Sequence, residues 1–339
     1  KKYGLSTAIC MVVGIVIGSG VFFKAETVLR ATRGNMPLGI LAWGLVGLIM
    51  IACAYVFALV AARHDQAGGL TDYAGAALGE WYAYDMGWFA ATIYMPTLVS
   101  AVAWISARYL CVLLGWETTG GACMTIAGFL LCGDYAIHVL APRAAGKLQV
   151  SATVIKLIPL ALMAVVGTAA GLINGQIVRD FSSMHKETFT SAGQELMAAC
   201  VAVAFAYEGW ILATSIHGEL KDAKRNLPRA LVTGSLTVVV IYILYYMGLN
   251  GVVTPEELMA SGEGGVKLAF SRVFGQAAGT GLFVLVLISC LGTLNGLMLA
   301  CCRGFYALAA RDQGPRPELF RQIDPVTGMP NNSAVAGLL

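Results

Sequence analysis

Charge is what this sequence has least of. Asp, Glu, Lys and Arg make up 12 % of its 339 residues, where a soluble domain carries roughly 25 %. With 58 % hydrophobic residues and a mean hydropathy of +0.74, that shortage excludes a soluble globule and a disordered chain. Net charge is only +3, too little to imply a nucleic-acid partner. Metal chemistry is equally undersupplied: His64, His138, His185 and His217 never stand at ligand spacing from a second His or Cys. There is no Walker A segment, so no means of hydrolysing ATP is visible, and no cofactor is expected. The nine cysteines fall mostly inside apolar runs, where they behave as small hydrophobes and form no disulfide framework.

Glycine, by contrast, is plentiful. It accounts for 40 of the 339 residues, about 12 % against a usual ~7 %. Glycine weakens soluble helices, but in membrane helices it lets backbones approach closely. The uncharged runs have the length for that setting, since about 20 apolar residues cross a bilayer. Uncharged or nearly uncharged, they cover 3–23, 37–62, 86–107, 118–142 (interrupted by Asp134), 148–178 (interrupted by Lys156), 196–218 (interrupted by Glu208), 230–255 and 273–302. A ninth run begins at Asn332. The first run follows Lys1 and Lys2 but is too long for a signal core and lacks a cleavage site, so it reads as a retained helix.

Basic residues set the direction. With a cytoplasmic amino terminus, the inner segments hold 13 Lys and Arg and the outer ones 7, with Arg108 and Lys156 inside spans. The expected location is therefore the cell inner (cytoplasmic) membrane, with many passes through the lipid bilayer. The sequon Asn331-Asn332-Ser333 then lies on the inner side and is coincidental. A short interfacial helix is expected within 63–85. Thr254-Pro255-Glu256-Glu257 carries a cap followed by acidic first-turn residues, which predicts a small outer helix.

Two spans carry signs of a break. In the first, Gly18-Ser19-Gly20 sets two residues of lowest helix propensity around a hydroxyl. An opening there would free N–H groups at the start of a half-helix, an arrangement suited to a carboxylate. The same glycines would equally serve close packing, as in the spacing Gly14-x-x-x-Gly18. In the sixth span, Phe205-Ala206-Tyr207-Glu208-Gly209-Trp210 puts a carboxylate beside a glycine at membrane depth. A buried charge there must face protein or a watery cavity, and unwound carbonyls beside it suit an ammonium group. A structural ion pair is the plainer alternative. The breaks occupy matching places, first and sixth, as expected for two inverted five-helix repeats around a midplane site.

These residues resemble a family. Gly18-Ser19-Gly20-Val21-Phe22 is similar to the first-helix signature of the amino acid–polyamine–organocation superfamily. Phe205 to Trp210, then Glu219-Leu220-Lys221-Asp222 and Arg225-Asn226-Leu227-Pro228, resemble its L-type amino acid transporter branch. The resemblance implies an all-α integral membrane protein of leucine-transporter-type 5+5 inverted-repeat fold, with helices 1–8 and the start of 9 present. It makes 1–339 one transmembrane transporter domain, with repeats at about 3–178 and 194–339, or some three quarters of a larger protein. It also implies exchange of α-amino acids by alternating access, not an enzyme.

By the same resemblance, Gly18, Ser19 and Gly20 take the substrate carboxylate, and Val16, Phe205, Ala206 and Glu208 the amine. Phe205, Gly209 and Trp210 form the gate and pocket. Lys156 stands where a sodium ion sits in sodium-coupled relatives. It lies nine residues beyond Lys147, about 13 Å up a helix, so snorkelling covers only part of the way to water. Many eukaryotic relatives carry Gly where Glu208 stands, which leaves substrate charge open. The loop 116–121 lacks the cysteine through which eukaryotic members pair, and Cys123 falls in the fourth helix. No covalently linked heavy-chain subunit is expected, which points to a prokaryotic protein.

Other residues read more locally. Asp134 and His138, one turn apart, are expected to pair with each other or with Arg143, with a proton relay as the other reading. Arg108 is expected to snorkel outward. Tyr242, Tyr245, Tyr246 and Asn295 would line the cavity or satisfy helix contacts. Proton- or sodium-coupled symport, carried by Glu208 or Asp134, is the alternative function. A non-transporting membrane sensor is the third.

Overall fold

A computed structural model describes residues 3–63, 69–183, 189–262 and 264–339. His64, His185 and the start of the chain lie outside them. Among the described residues there is no strand, only an isolated parallel bridge between Tyr3 and Leu220. Seven helices are long and apolar enough to cross a membrane, or eight if one bent pair counts as a span. This is an all-helical, multi-pass membrane protein. Hydrocarbon offers backbone groups no partners, so each span must satisfy its own.

The bent pair is the first span. Helix α1 (Leu5–Val16) and α2 (Gly20–Ala31) meet at 43°. Next come α3 (Met36–Arg63), the short α4 (Leu70–Leu78), and α5 (Glu80–Leu114). Helices α6 (Gly121–Leu140) and α7 (Pro142–Ile173) follow, with α8 (Gln176–Ser183) beyond them. Both α5 and α7 contain one π-turn, at Ala90–Tyr94 and Met163–Gly167. Pro96 and Pro159 lie close by, and each withholds the N–H that would complete the regular ladder.

The sixth span starts as α9 (Phe189–Ala204). It tightens to a 3₁₀ turn at Phe205–Tyr207, opens at Glu208 and Gly209, and resumes as a 3₁₀ segment, Trp210–Glu219. Then α10 (Ala223–Val252) crosses back. Helices α11 (Pro255–Ser261) and α12 (Gly264–Phe274) lie at that face, followed by α13 (Gln276–Cys302). The chain closes through α14 (Gly304–Ala309), α15 (Pro317–Phe320) and α16 (Asn331–Leu338). Both expected short helices are present. The second starts with a full capping box, Thr254 and Glu257 each bonding the other's backbone N–H.

Small residues let the spans approach. A Cβ placed on Gly248 of α10 would stand 2.2 Å from the Met163 carbonyl oxygen, and one on Gly167 of α7 would stand 2.6 Å from the Gly248 oxygen. A Cβ on Gly14 would meet Thr153 Oγ1 at 2.2 Å. Gly14 therefore does serve packing, as its spacing with Gly18 allowed. All nine cysteines are free; Cys123 is buried in α6, while Cys53 and Cys132 face outward.

Candidate functional site

The two breaks lie against each other near the middle of the molecule. A Cβ on Gly20 would touch Ala206 at 3.4 Å, and one on Gly209 would stand 2.9 Å from Ile15 Cγ2. Gly209 has φ +101°, a region that costs other residues steric strain. This one position thus needs glycine twice over, for its backbone angle and for its neighbour.

Opening a helix leaves its last carbonyls without intrahelical donors. Three other spans supply them. Lys156 of α7 is fully buried, and its three N–H groups share four oxygens within reach of Nζ: Gly14 O at 2.8 Å, Ile17 O at 2.5 Å, Ser289 O at 2.9 Å and Thr293 Oγ1 at 3.2 Å. Ser289 Oγ donates to Gly18 O at 3.2 Å. Thr293 Oγ1 has Gly14 O and Ile17 O within reach of its single proton, at 3.1 and 2.9 Å. The ammonium therefore caps the carboxyl end of α1, where the helix dipole is negative. It does not reach toward water. From α10, the Tyr242 hydroxyl lies 3.2 Å from Val16 O and 3.1 Å from Ala206 O. It bridges the first break to the second, so its part is structural contact across the site.

A cavity opens between the breaks. Val16, Gly18, Ser19 and Gly20 line it on one side, and Phe205, Ala206, Glu208 and Gly209 on the other. Its remaining wall is mainly apolar, with Leu98, Val102 and Ile105 from α5 and Leu297 from α13. Phe205 is half exposed at the rim. Glu208 is exposed, and the Tyr94 hydroxyl, from the π-turn of α5, donates to its carboxylate. Trp210 is absent from the cavity wall; it packs edge-on against Phe57 at 5.4 Å. Trp43, Tyr207 and Tyr242 form an aromatic cluster with centroids 5.1–5.6 Å apart.

The structure also corrects local expectations. Asp134 and His138 do not pair. His138 Nε2 lies 2.8 Å from the Asn295 carbonyl on α13, and Asp134 Oδ2 is buried with no hydrogen-bond partner. Helical spacing puts the two on one face, but the tertiary contact with α13 turns the imidazole away. Asn295 likewise serves helix contacts, with its Nδ2 donating to Gln149 Oε1 at 2.8 Å. Arg108 lies over the Trp104 ring at 5.0 Å, a cation–π contact. Sequence reasoning missed Ser289, Thr293 and Tyr94. The first two are four residues apart in an apolar run, on one helical face, and that spacing was the available signal. For Tyr94 there was none, because its contact depends on how α5 lies against the sixth span.

Comparison with known proteins decides the family: residues 3–338 match the model described as amino acid permease. The chain belongs to the amino acid permease family. Among its relatives, the serine/threonine exchanger SteT of Bacillus subtilis (strain 168) is 31 % identical over 331 residues, covering 96 % of this chain and 72 % of SteT. The mouse b(0,+)-type amino acid transporter 1 is 28 % identical over 308 residues, covering 90 % of this chain and 62 % of that protein. The human large neutral amino acids transporter small subunit 2 is 26 % identical over 333 residues, covering 95 % and 60 %. The permease chain thus spans about three fifths of the length of the two mammalian proteins. These matches support the resemblance to the L-type branch of the amino acid–polyamine–organocation superfamily.

Proposed function

We propose that this permease is a secondary transporter exchanging α-amino acids, held between the two breaks and exposed to each side in turn. The observation that carries this reading is the cavity bounded by both breaks. The first-turn N–H groups of α2, which begins at Gly20, offer a carboxylate hydrogen bonds and the positive end of a dipole. Across the cavity, the Glu208 carboxylate and the carbonyls around Phe205 and Ala206 offer an ammonium group acceptors; Val16 O supplies one more. The carbonyls that Tyr242 reaches keep a second lone pair each. A ligand with both groups on one carbon fits, and a polyamine, lacking the carboxylate, does not.

The apolar wall favours a small neutral side chain, in keeping with a relative named for serine and threonine. Lys156 argues against sodium coupling. Its ammonium already stands within hydrogen-bonding distance of four oxygens that a cation would need, and its charge would repel one. By the same reading the chain forms two inverted repeats, about 3–178 and 194–339, in the cytoplasmic membrane with the amino terminus inside. It needs no covalently linked heavy chain, since the loop 116–121 carries no cysteine.

Binding tests this directly, since a ligand of the folded state raises the melting temperature. Serine, threonine or alanine is expected to stabilise the purified protein, and serine amide, without the carboxylate, is not. Glu208→Gln is expected to weaken the amino acid at least about tenfold, as loss of one charge-assisted bond would. Stabilisation by the amide equal to that by serine would remove the carboxylate site.

A further inference from the structure

The cavity between the breaks has one carboxylate on its wall, and that carboxylate is already held. Among the described residues that line the cavity, Glu208 is the sole acid; the others are apolar or offer hydroxyl, thiol and backbone groups. Glu208 lies in the opened stretch between the two 3₁₀ segments, with extended backbone at ψ 156°, and it is exposed. A glutamate so placed has several rotamers open to it, and holding one costs entropy. Here the Tyr94 hydroxyl, donating to the carboxylate, holds it.

Tyr94 reaches Glu208 from α5. Tyr94, Leu98, Val102 and Ile105 follow one another at helical spacing and share a face, and the last three form the cavity's apolar wall. Tyr94 closes the π-turn Ala90–Tyr94, whose wider turn re-aims that face relative to the start of the helix. Phe89 stacks on the Tyr94 ring, with centroids 6.1 Å apart and planes at 19°. Tyr94 itself is absent from the cavity wall, so its effect on a ligand there passes through Glu208.

We infer that Tyr94 is a positioning residue: it tethers Glu208 for the substrate's α-ammonium and so makes the site select against a cationic side chain. This rests on the function proposed above and adds what decides between neutral and dibasic amino acids. A tethered carboxylate meets one ammonium, the one on the carbon whose carboxylate sits at the first turn of α2. A second ammonium, further along the side chain, would enter the wall of Leu98, Val102 and Ile105 with no acid left to meet it, and burying a charge unpaired is costly. Lys156 adds repulsion, because its ammonium lies against Ile17 O, between the wall residues Val16 and Gly18. Released from Tyr94, Glu208 could turn toward a distal ammonium.

Binding to the purified protein tests the tether with two amino acids of equal size. Homoserine and α,γ-diaminobutyrate differ only at the end of the side chain, a hydroxyl against an ammonium. Wild type is expected to bind homoserine at least about tenfold more tightly. Tyr94→Phe keeps the ring and its stacking and removes only the donor. It is expected to weaken homoserine about fivefold, the worth of one hydrogen bond, while α,γ-diaminobutyrate binds as before or more tightly. In a Glu208→Gln background the same substitution is expected to change homoserine binding less than about twofold, because the charge it positions is gone. A general loosening of α5 would instead weaken both ligands alike, in both backgrounds. Equal losses for the two ligands, or an undiminished effect beside Glu208→Gln, would overturn the tether. So would a wild type that prefers α,γ-diaminobutyrate, a result that needs no variant to fold. Homoserine binding that Tyr94→Phe leaves unchanged would overturn the tether alone, whereas a wild type that binds no α-amino acid would overturn the proposed function and the tether with it.

Discussion

Single residues at the site are chosen under two constraints at once, and Gly209 is the clearest instance. Its backbone angle and its contact with Ile15 both exclude a side chain. Gly209→Ala is expected to lower stability by about 1–3 kcal/mol and to weaken amino acid binding, because any relief must come from shifting the carbonyls on either side. Thermal unfolding with and without serine checks both effects. Glycine at this position was legible in the sequence as a break beside a carboxylate. What could not be read was that Ile15, from the other break, closes on it. The same holds for Lys156. Its distance from water was arithmetic on helical rise, whereas its partners Ser289 and Thr293 lie more than 130 positions further on. Nothing local in the chain announces a contact of that separation.

At the scale of elements, glycine and charge divide the work between membrane and surface. Where α7 and α10 cross, Gly248 faces the backbone of Met163, so Gly248→Ala is expected to cost about 1–3 kcal/mol by forcing the helices apart. Gly128, on α6, has nothing within 4 Å of its Cβ position. Gly128→Ala is expected to be neutral or stabilising by up to about 1 kcal/mol, through helix propensity alone. A shared unfolding midpoint for the two variants would contradict this packing. Composition had revealed the glycine excess but not which glycines touch anything, since a helix's contacting face depends on its neighbours.

Outside the membrane, electrostatics is local. Paired hydrogen bonds from Arg272, at 2.7 and 2.8 Å, with the Thr254 N–H, hold the Glu257 carboxyl well below its ordinary value, at about 2. A lowered value in the folded state stabilises above the unfolded value, near 4.3, and is lost as pH falls through about 2. Both side chains are about 40 % exposed, so the ion pair is expected to contribute less than about 1 kcal/mol. The difference in melting temperature between wild type and Glu257→Gln should be small and constant above about pH 5, and should vanish as the solution is acidified toward pH 2. A difference that persisted unchanged down to pH 2 would mean the capping box, not the carboxylate's charge, is what the substitution removes.

For the whole molecule, the sequence showed the span count and the placement of both breaks through apolar length, glycine and the lone carboxylate of Glu208. Length and apolarity are one-dimensional properties, so they survive without an alignment or a structure. The site's interior depended on three dimensions: Tyr242 bridging the breaks, Tyr94 reaching Glu208, and His138 turning from Asp134 to Asn295. Each is a contact between spans, and apolar spans carry no periodic signal that fixes their rotation about the helix axis; the hydrophobic face is every face.

The central claim is that the two breaks together hold an amino acid that is exchanged across the membrane without sodium. Counterflow measures this most directly: radiolabelled serine is offered to vesicles containing the purified protein, preloaded with unlabelled serine or left empty, in sodium or in potassium buffer. The predicted result is uptake into the preloaded vesicles only, equal in both buffers, and reduced by Gly209→Ala. Equal uptake into empty and preloaded vesicles, or uptake that requires sodium, would contradict it.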